Sequence, residues 1–166
     1  MKIELRKIKL LKSLSEETPA YTADVYVDDV LFCHVSNHGH GGCDMEHPPK
    51  GVTGNELYGR LELLNKQIGE TFPEVPYGHG MEGSFKQTLE YICHGQVWDD
   101  DLAKTVKRDL AAKVMFLKTD GKLYGIKAKG EAEQQRVIAH IASKPEVKSI
   151  LNSLSLNDAA AIYKAQ

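Results

Sequence analysis

The run Tyr21-Thr22-Ala23-Asp24-Val25-Tyr26-Val27 alternates between two kinds of residue. A period of two puts Tyr21, Ala23, Val25 and Val27 on one face and Thr22, Asp24 and Tyr26 on the other, the pattern of a strand half-buried against a core. Upstream, Ile3 and Leu5 share one parity and Ile8 and Leu10 the other. Residues 2–12 therefore read as a second strand with a bulge or edge bend across Arg6-Lys7. Downstream, Asp28-Asp29 reads as a two-residue turn without the usual glycine, and Val30 to Ser36 returns as a third strand. The N-terminus is thus expected to be a three-stranded antiparallel meander.

Helical signals follow. Thr53 and Glu56 have capping-box spacing, in which the N-cap hydroxyl and the returning carboxylate satisfy backbone N–H groups reciprocally. Leu57, Leu61, Leu64 and Ile68 then form one apolar stripe, and Pro73 and Pro76 stop the helix. Ser84 with Gln87 repeats the capping pattern and predicts a second helix to about Gly95, carrying Phe85, Leu89 and Ile92. Asp99 to Ala112 predicts a third, with Leu102, Val106 and Leu110 inward, an acidic start and Trp98 as a packing residue at its entry. Thr119-Asp120-Gly121-Lys122 between two apolar runs is the strongest hairpin signal in the chain. Residues 131–143 and 156–165 read as C-terminal helices, separated by Pro145, with Asn157 as the cap of the last. The fold class is α+β: the meander, three helices, a β-hairpin, then C-terminal helices. Residues 1–166 are expected to form a single domain, with a subdivision near 76–84 as the alternative. Whether the two β-segments share one sheet is left open.

Bulk properties narrow the function classes. The chain has 166 residues, 42% hydrophobic and 27% charged, with a formal charge of −2. That balance gives no global drive toward nucleic acid. The lysines of the first strand, Lys7 and Lys9 among them, read as protection of a sheet edge. No apolar run approaches the roughly 20 residues of a membrane span, and the start has no apolar leader segment, so a cytoplasmic protein is expected. Cys33, Cys43 and Cys93 make no disulfide framework and no C-x-x-C pair. Cys33 and Cys93 read as small core residues.

The chemistry concentrates in Ser36-Asn37-His38-Gly39-His40-Gly41-Gly42-Cys43, followed at once by Asp44, Glu46 and His47. Six of the seven histidines lie between His34 and His94. As a metal site, His38, His40 and His47 would ligate zinc or manganese. Cys43, Asp44 or Glu46 would complete the set, or His79 or His94 from a distance. As an anion site, Gly39, Gly41 and Gly42 would offer backbone N–H groups in a concave nest, with His38 and His40 discriminating and His79, from a second glycine-rich loop (Tyr77 to Gly83), closing a cleft. The spacing matches no recognised zinc motif, which puts the anion reading narrowly ahead. A Cys43/His40 nucleophile lacks an identifiable oxyanion site.

Ser15-Glu16-Glu17-Thr18, Ala23-Asp24-Val25-Tyr26-Val27-Asp28, Val35-Ser36-Asn37 and Gly39-His40-Gly41-Gly42 together resemble the N-terminal signature of a group of small uncharacterised proteins encoded by bacteriophages and bacterial genomes. The resemblance covers residues 15–42. It implies an accessory protein of the host cytoplasm that blocks, sequesters or redirects a host component. The leading expectation is accordingly a binding protein whose partner is a small anionic, nucleotide-like ligand or a host protein. The first alternative is a metal-dependent hydrolase, a phosphodiesterase or nuclease, built on the His38–His47 cluster. The second is a protein–protein interaction module acting through the C-terminal helical half. Assembly into a homo-oligomer is left open.

Overall fold

The computed structural model describes residues 1–78 and 81–166 and has the α+β class read from the sequence. The chain divides into two compact units, Met1–Trp98 and Asp99–Gln166. In the first, β1 (Ile3–Leu10), β2 (Tyr21–Val27), β3 (Val30–Asn37) and β4 (Met45–His47) form one antiparallel sheet in that order. The expected meander is present, extended by β4, whose three residues are too few to show a period.

The parity change in β1 is a bulge. Arg6 pairs with Asp24 and Lys9 with Thr22, so Lys7 and Ile8 stand against Ala23 alone. The extra residue lets Ile3 and Leu5 on one side, and Ile8 and Leu10 on the other, all reach the same core. Lys7 sits at φ 56° to make this shift. The β2–β3 turn places Asp28 and Asp29 at φ 47° and 65°, the left-handed pair that a two-residue hairpin turn requires. Asp28 Oδ1 helps fix the turn by accepting the Lys2 N–H at 2.7 Å.

Helix α1 (Gly54–Thr71) starts at the expected capping box: Thr53 N–H donates to Glu56 Oε2 at 2.8 Å and Glu56 N–H to Thr53 Oγ1 at 3.3 Å. Its Leu57, Leu64 and Ile68 enter the core beneath the sheet. The Ser84/Gln87 capping box does not form. Residues β5 (Val75–Pro76) and β6 (Ser84–Phe85) pair as a short hairpin, and the Gln87 amide donates to the Pro73 carbonyl at 2.9 Å. The next helix, α2 (Leu89–Ala112), begins later, where Asn65 Oδ1 takes the Leu89 N–H at 2.8 Å and Thr88 Oγ1 the Tyr91 N–H at 3.3 Å.

Helix α2 also runs unbroken through Gly95 and Asp99-Asp100-Asp101, where two helices were expected. A glycine costs a helix only about 1 kcal/mol, and no proline interrupts this stretch. Trp98 is therefore an exposed mid-helix residue, and the acidic run is not a helix start. Asp99 and Asp100 are paired instead, with Lys164 at 2.8 Å and Lys104 at 2.6 Å. Leu89, Cys93 and Val97 belong to the core of the first unit.

In the second unit, β7 (Lys113–Lys118) lies between β8 (Leu123–Lys127) and β9 (Val147–Ile150) in a sheet separate from the first. The Asp120-Gly121 hairpin is as expected, and β9 is an addition. Alternate residues of β7 enter two clusters. Met115 packs with Val106, Leu151 and Ala159, and Val114 and Phe116 with Ala128 and Ile141. Helices α3 (Glu131–Ile141) and α4 (Leu156–Lys164) supply the outer walls. Ser155, rather than Asn157, caps α4 by accepting the Asp158 N–H at 3.2 Å. Among the described residues, no helix is long and apolar enough to cross a membrane.

Candidate functional site

The histidine–glycine segment is the connection between β3 and β4, and Asn37 organises it. Asn37 Oδ1 accepts the Gly39 N–H at 2.8 Å and the Thr18 hydroxyl at 2.9 Å. Its Nδ2 donates to the Gly42 carbonyl at 2.9 Å and to Asp44 Oδ1 at 3.0 Å, so the amide is fully used. The Gly39 carbonyl accepts the N–H groups of Glu16 and Glu17, each at 3.0 Å. Gly39 lies at φ 89°, and a Cβ there would fall 2.2 Å from the Leu14 carbonyl oxygen. Its glycine identity thus follows from close packing against the segment between β1 and β2.

This geometry bears on each expected site residue. The Gly39 N–H is bound to Asn37 and the Gly41 N–H to Thr18 Oγ1 at 3.3 Å, so two of the backbone donors expected to hold an anion are engaged. His40 Nδ1 lies 3.1 Å from Glu16 Oε2, which places a carboxylate beside the loop. His38, His40, Gly42 and Cys43 line one cavity of about 310 Å3. His47 is elsewhere: it sits opposite His34 in the sheet and lines a different cavity, 3.3 Å from Ser36 Oγ. His79 lies outside the described residues.

Among the described residues, the metal-type side chains that converge are Asp44, Glu90 and His94, with ligand atoms all within 4.8 Å of one another. Glu90 and His94 are four apart on α2 and so share a helix face, and the loop brings Asp44 to them. Asp44 N–H donates to Glu90 Oε1 at 3.0 Å. The buried Asp44 carboxylate receives Asn37 Nδ2 and His94 Nε2 on Oδ1, each at 3.0 Å, and the Tyr21 hydroxyl on Oδ2. The Tyr21 ring meets the His94 imidazole edge-on at 5.9 Å, which helps fix its plane.

The electrostatics around this group are one-sided. The hydrogen bond to Asp44 holds the His94 pKa above its ordinary value, against the effect of burial. Burial pushes the Glu46 carboxyl up, and Asp44 and Glu90 add to that shift. Tyr21 is raised chiefly by burial and remains a hydroxyl donor. Burial likewise raises the Cys93 thiol, and Cys33 to about 12, so both cysteines are inert core residues. Two carboxyl groups, Asp44 and Glu90, therefore stand beside the His94 imidazole, with Glu46 acting on both carboxylates, an arrangement that favours an added cation. One imidazole with two carboxylates is a mixed N/O set suited to zinc or manganese.

The sequence pointed to Asp44 and His94 as auxiliary ligands but passed over Glu90. The missed signal was the Glu90/His94 spacing of four on a helix. Compared with protein families, curated proteins and solved structures, the chain matches none of them.

Proposed function

We propose that this protein is a divalent-metal-binding protein whose ion is held by Asp44, Glu90 and His94, and that it works by binding rather than by turnover. The convergence of those three ligand atoms carries the reading. Three protein ligands leave coordination positions open, and these take water or an acidic group of a ligand or partner protein. The sequestering role implied by the resemblance of residues 15–42 fits such a site, with the metal supplying the attraction for an anion that engaged glycine N–H groups do not. The neighbouring Tyr21 hydroxyl and Cys93 thiol are both held protonated, so hydrolysis at this site would depend on metal-activated water alone, and the resemblance of residues 15–42 favours binding.

Elemental analysis of protein purified without a histidine tag, followed by thermal unfolding with added zinc or manganese, tests this. The expected result is stoichiometric metal and a stabilisation of about 2.7 kcal/mol at a hundredfold excess over Kd. Glu90→Gln keeps an acceptor for the Asp44 N–H while removing a charge, so it should fold normally and bind metal at least tenfold more weakly, about 1.4 kcal/mol. Wild-type affinity in Glu90→Gln, or no metal and no stabilisation in the parent protein, would overturn the assignment. Metal-dependent release of product from a phosphodiester would replace binding with hydrolysis.

A further inference from the structure

The outward face of the first sheet carries a second constellation with the opposite charge preference. Lys9, Thr22 and Ser36 are successive cross-strand partners, and so are Asp24, His34 and His47. Directly opposed residues project from the same face, so these two rows form one surface. The β1 bulge adds Lys7 to it. Together they line a cavity of about 420 Å3, within the size range of small-ligand sites.

The internal bonding selects the kind of ligand. Asp24 Oδ2 accepts Lys7 Nζ at 2.8 Å, and Asp24 Oδ1 accepts His34 Nδ1 at 2.6 Å. The carboxylate is thus already engaged by two donors. Because a carboxylate only accepts, His34 donates from Nδ1, and its Nε2 can donate to a ligand only from the imidazolium form. With its carboxylate neutralised by the Lys7 ammonium, the face offers a cation little. An anion, in contrast, meets the Lys9 ammonium and the Thr22 hydroxyl, with the His34 imidazole and the Ser36–His47 pair, 3.3 Å apart, lining the same cavity. The two rows are about 7 Å apart along the strands, a gap that an oxyanion with hydrogen bonds of about 2.8 Å on either side can fill.

We propose that this face is a binding site for the phosphate group of a small phosphate monoester, with Lys9, His34 and His47 as charged or ionisable donors and Thr22 and Ser36 as hydroxyl donors. A phosphate brings up to two charges and three acceptor oxygens, which this donor set matches. A small molecule is favoured over nucleic acid because the basic side chains that precede Lys9 along this stretch are paired with carboxylates, Lys7 with Asp24 among them. Lys2 and Arg6 pair with Glu4 at 3.0 and 2.9 Å, leaving no continuous basic stripe. The site lies on the opposite face of the sheet from the Tyr21–Asp44 contact and does not depend on a metal.

The test is an amide NMR titration of the full chain after dialysis against a chelator, at constant ionic strength, with inorganic phosphate and then with AMP. Removing metal makes the outcome independent of the Asp44 site. Saturable shifts centred on Lys7, Lys9, Thr22, His34, Ser36 and His47 are expected with both probes. Lys9→Ala should weaken binding about tenfold, the effect of one charge-assisted contact. His47→Gln, which keeps a polar group in the sheet, should weaken it as well. The amide spectrum of each variant reports whether it folds. Four results would overturn the proposal: a linear response that chloride reproduces, shifts centred on Asp44 and His94, unchanged affinity in a folded Lys9→Ala protein, or binding of free phosphate with exclusion of AMP.

Discussion

Asp44–His94 and Asp24–His34 are the same pair of residue types in two different settings. Asp44 and His94 side chains are 1% and 23% exposed, against 12% and 45% for Asp24 and His34. The remaining partners of Asp44 are neutral donors, the Tyr21 hydroxyl and the Asn37 amide. Asp24 is instead neutralised by the ammonium of Lys7. Neutral donors leave the inner group negative, because Asp44 and Glu90 share the one imidazole of His94. Cationic company leaves the outer group positive. The carboxylate–imidazole pair does not itself choose a ligand; the residues that complete its hydrogen bonding do.

The sharpest way to break this contrast is to remove each carboxylate in turn. Asp44→Ala leaves a half-buried imidazole and a buried hydroxyl and amide without their common acceptor and should destabilise the protein by about 3–5 kcal/mol. Asp24→Ala, whose partners are largely solvated, should cost about 1 kcal/mol or less. Denaturant unfolding of both variants measures the difference, and equal losses would show that burial is not what separates the pairs. Next in size is Tyr21→Phe. It deletes one hydrogen bond to a buried charge, so a loss of about 1.5–3 kcal/mol is expected by the same measurement. A neutral result would mean that Asn37 and His94 alone satisfy Asp44.

The sequence made the outer setting easier to read than the inner one. Strand parity alone puts Thr22 and Asp24 on the face away from Tyr21, Ala23 and Val25, and the parity change in β1 locates the bulge. These are local, periodic signals. The inner group joins residues 44, 90 and 94 across a long stretch of chain, and no local pattern encodes that contact. The density of histidine and glycine drew attention to residues 38–42, whereas packing against residues 14–20 explains Gly39. Strand β4 and the true start of α2 were hidden for a related reason. The first is short, and the second is set by the Asn65 side chain, a partner distant in sequence.

Lys7 tests whether the bulge or the ion pair matters more to the outer group. Lys7→Ala removes the contact with Asp24 but keeps a side chain at φ 56°, whereas Lys7→Gly also relieves the left-handed backbone. Glycine should therefore leave the protein more stable than alanine by about 1 kcal/mol, read as the difference between two denaturant midpoints. Equal stability would show that the backbone at residue 7 carries little strain.

The smallest effect expected is a pH dependence confined to the outer pair. The hydrogen bond from Lys7, followed by that from His34, holds the Asp24 carboxyl below its ordinary range. A carboxyl depressed in the folded state binds its proton more readily when the chain unfolds. It therefore adds stability above its unfolded pKa of about 3.9, and that increment disappears as pH falls through the lower folded value. Asp24→Asn has no such increment. The difference in unfolding midpoint between the parent and Asp24→Asn should be constant near neutrality and shrink below about pH 4. Other depressed carboxyls, such as Glu56 and Asp120, are common to both proteins and cancel in that difference. Lys7→Met, which removes the largest cause of the shift, should narrow the interval over which the difference shrinks. Parallel curves through the acid range would show that Asp24 titrates alike in the folded and unfolded chains, and the outer carboxylate would then be held by geometry without electrostatic gain.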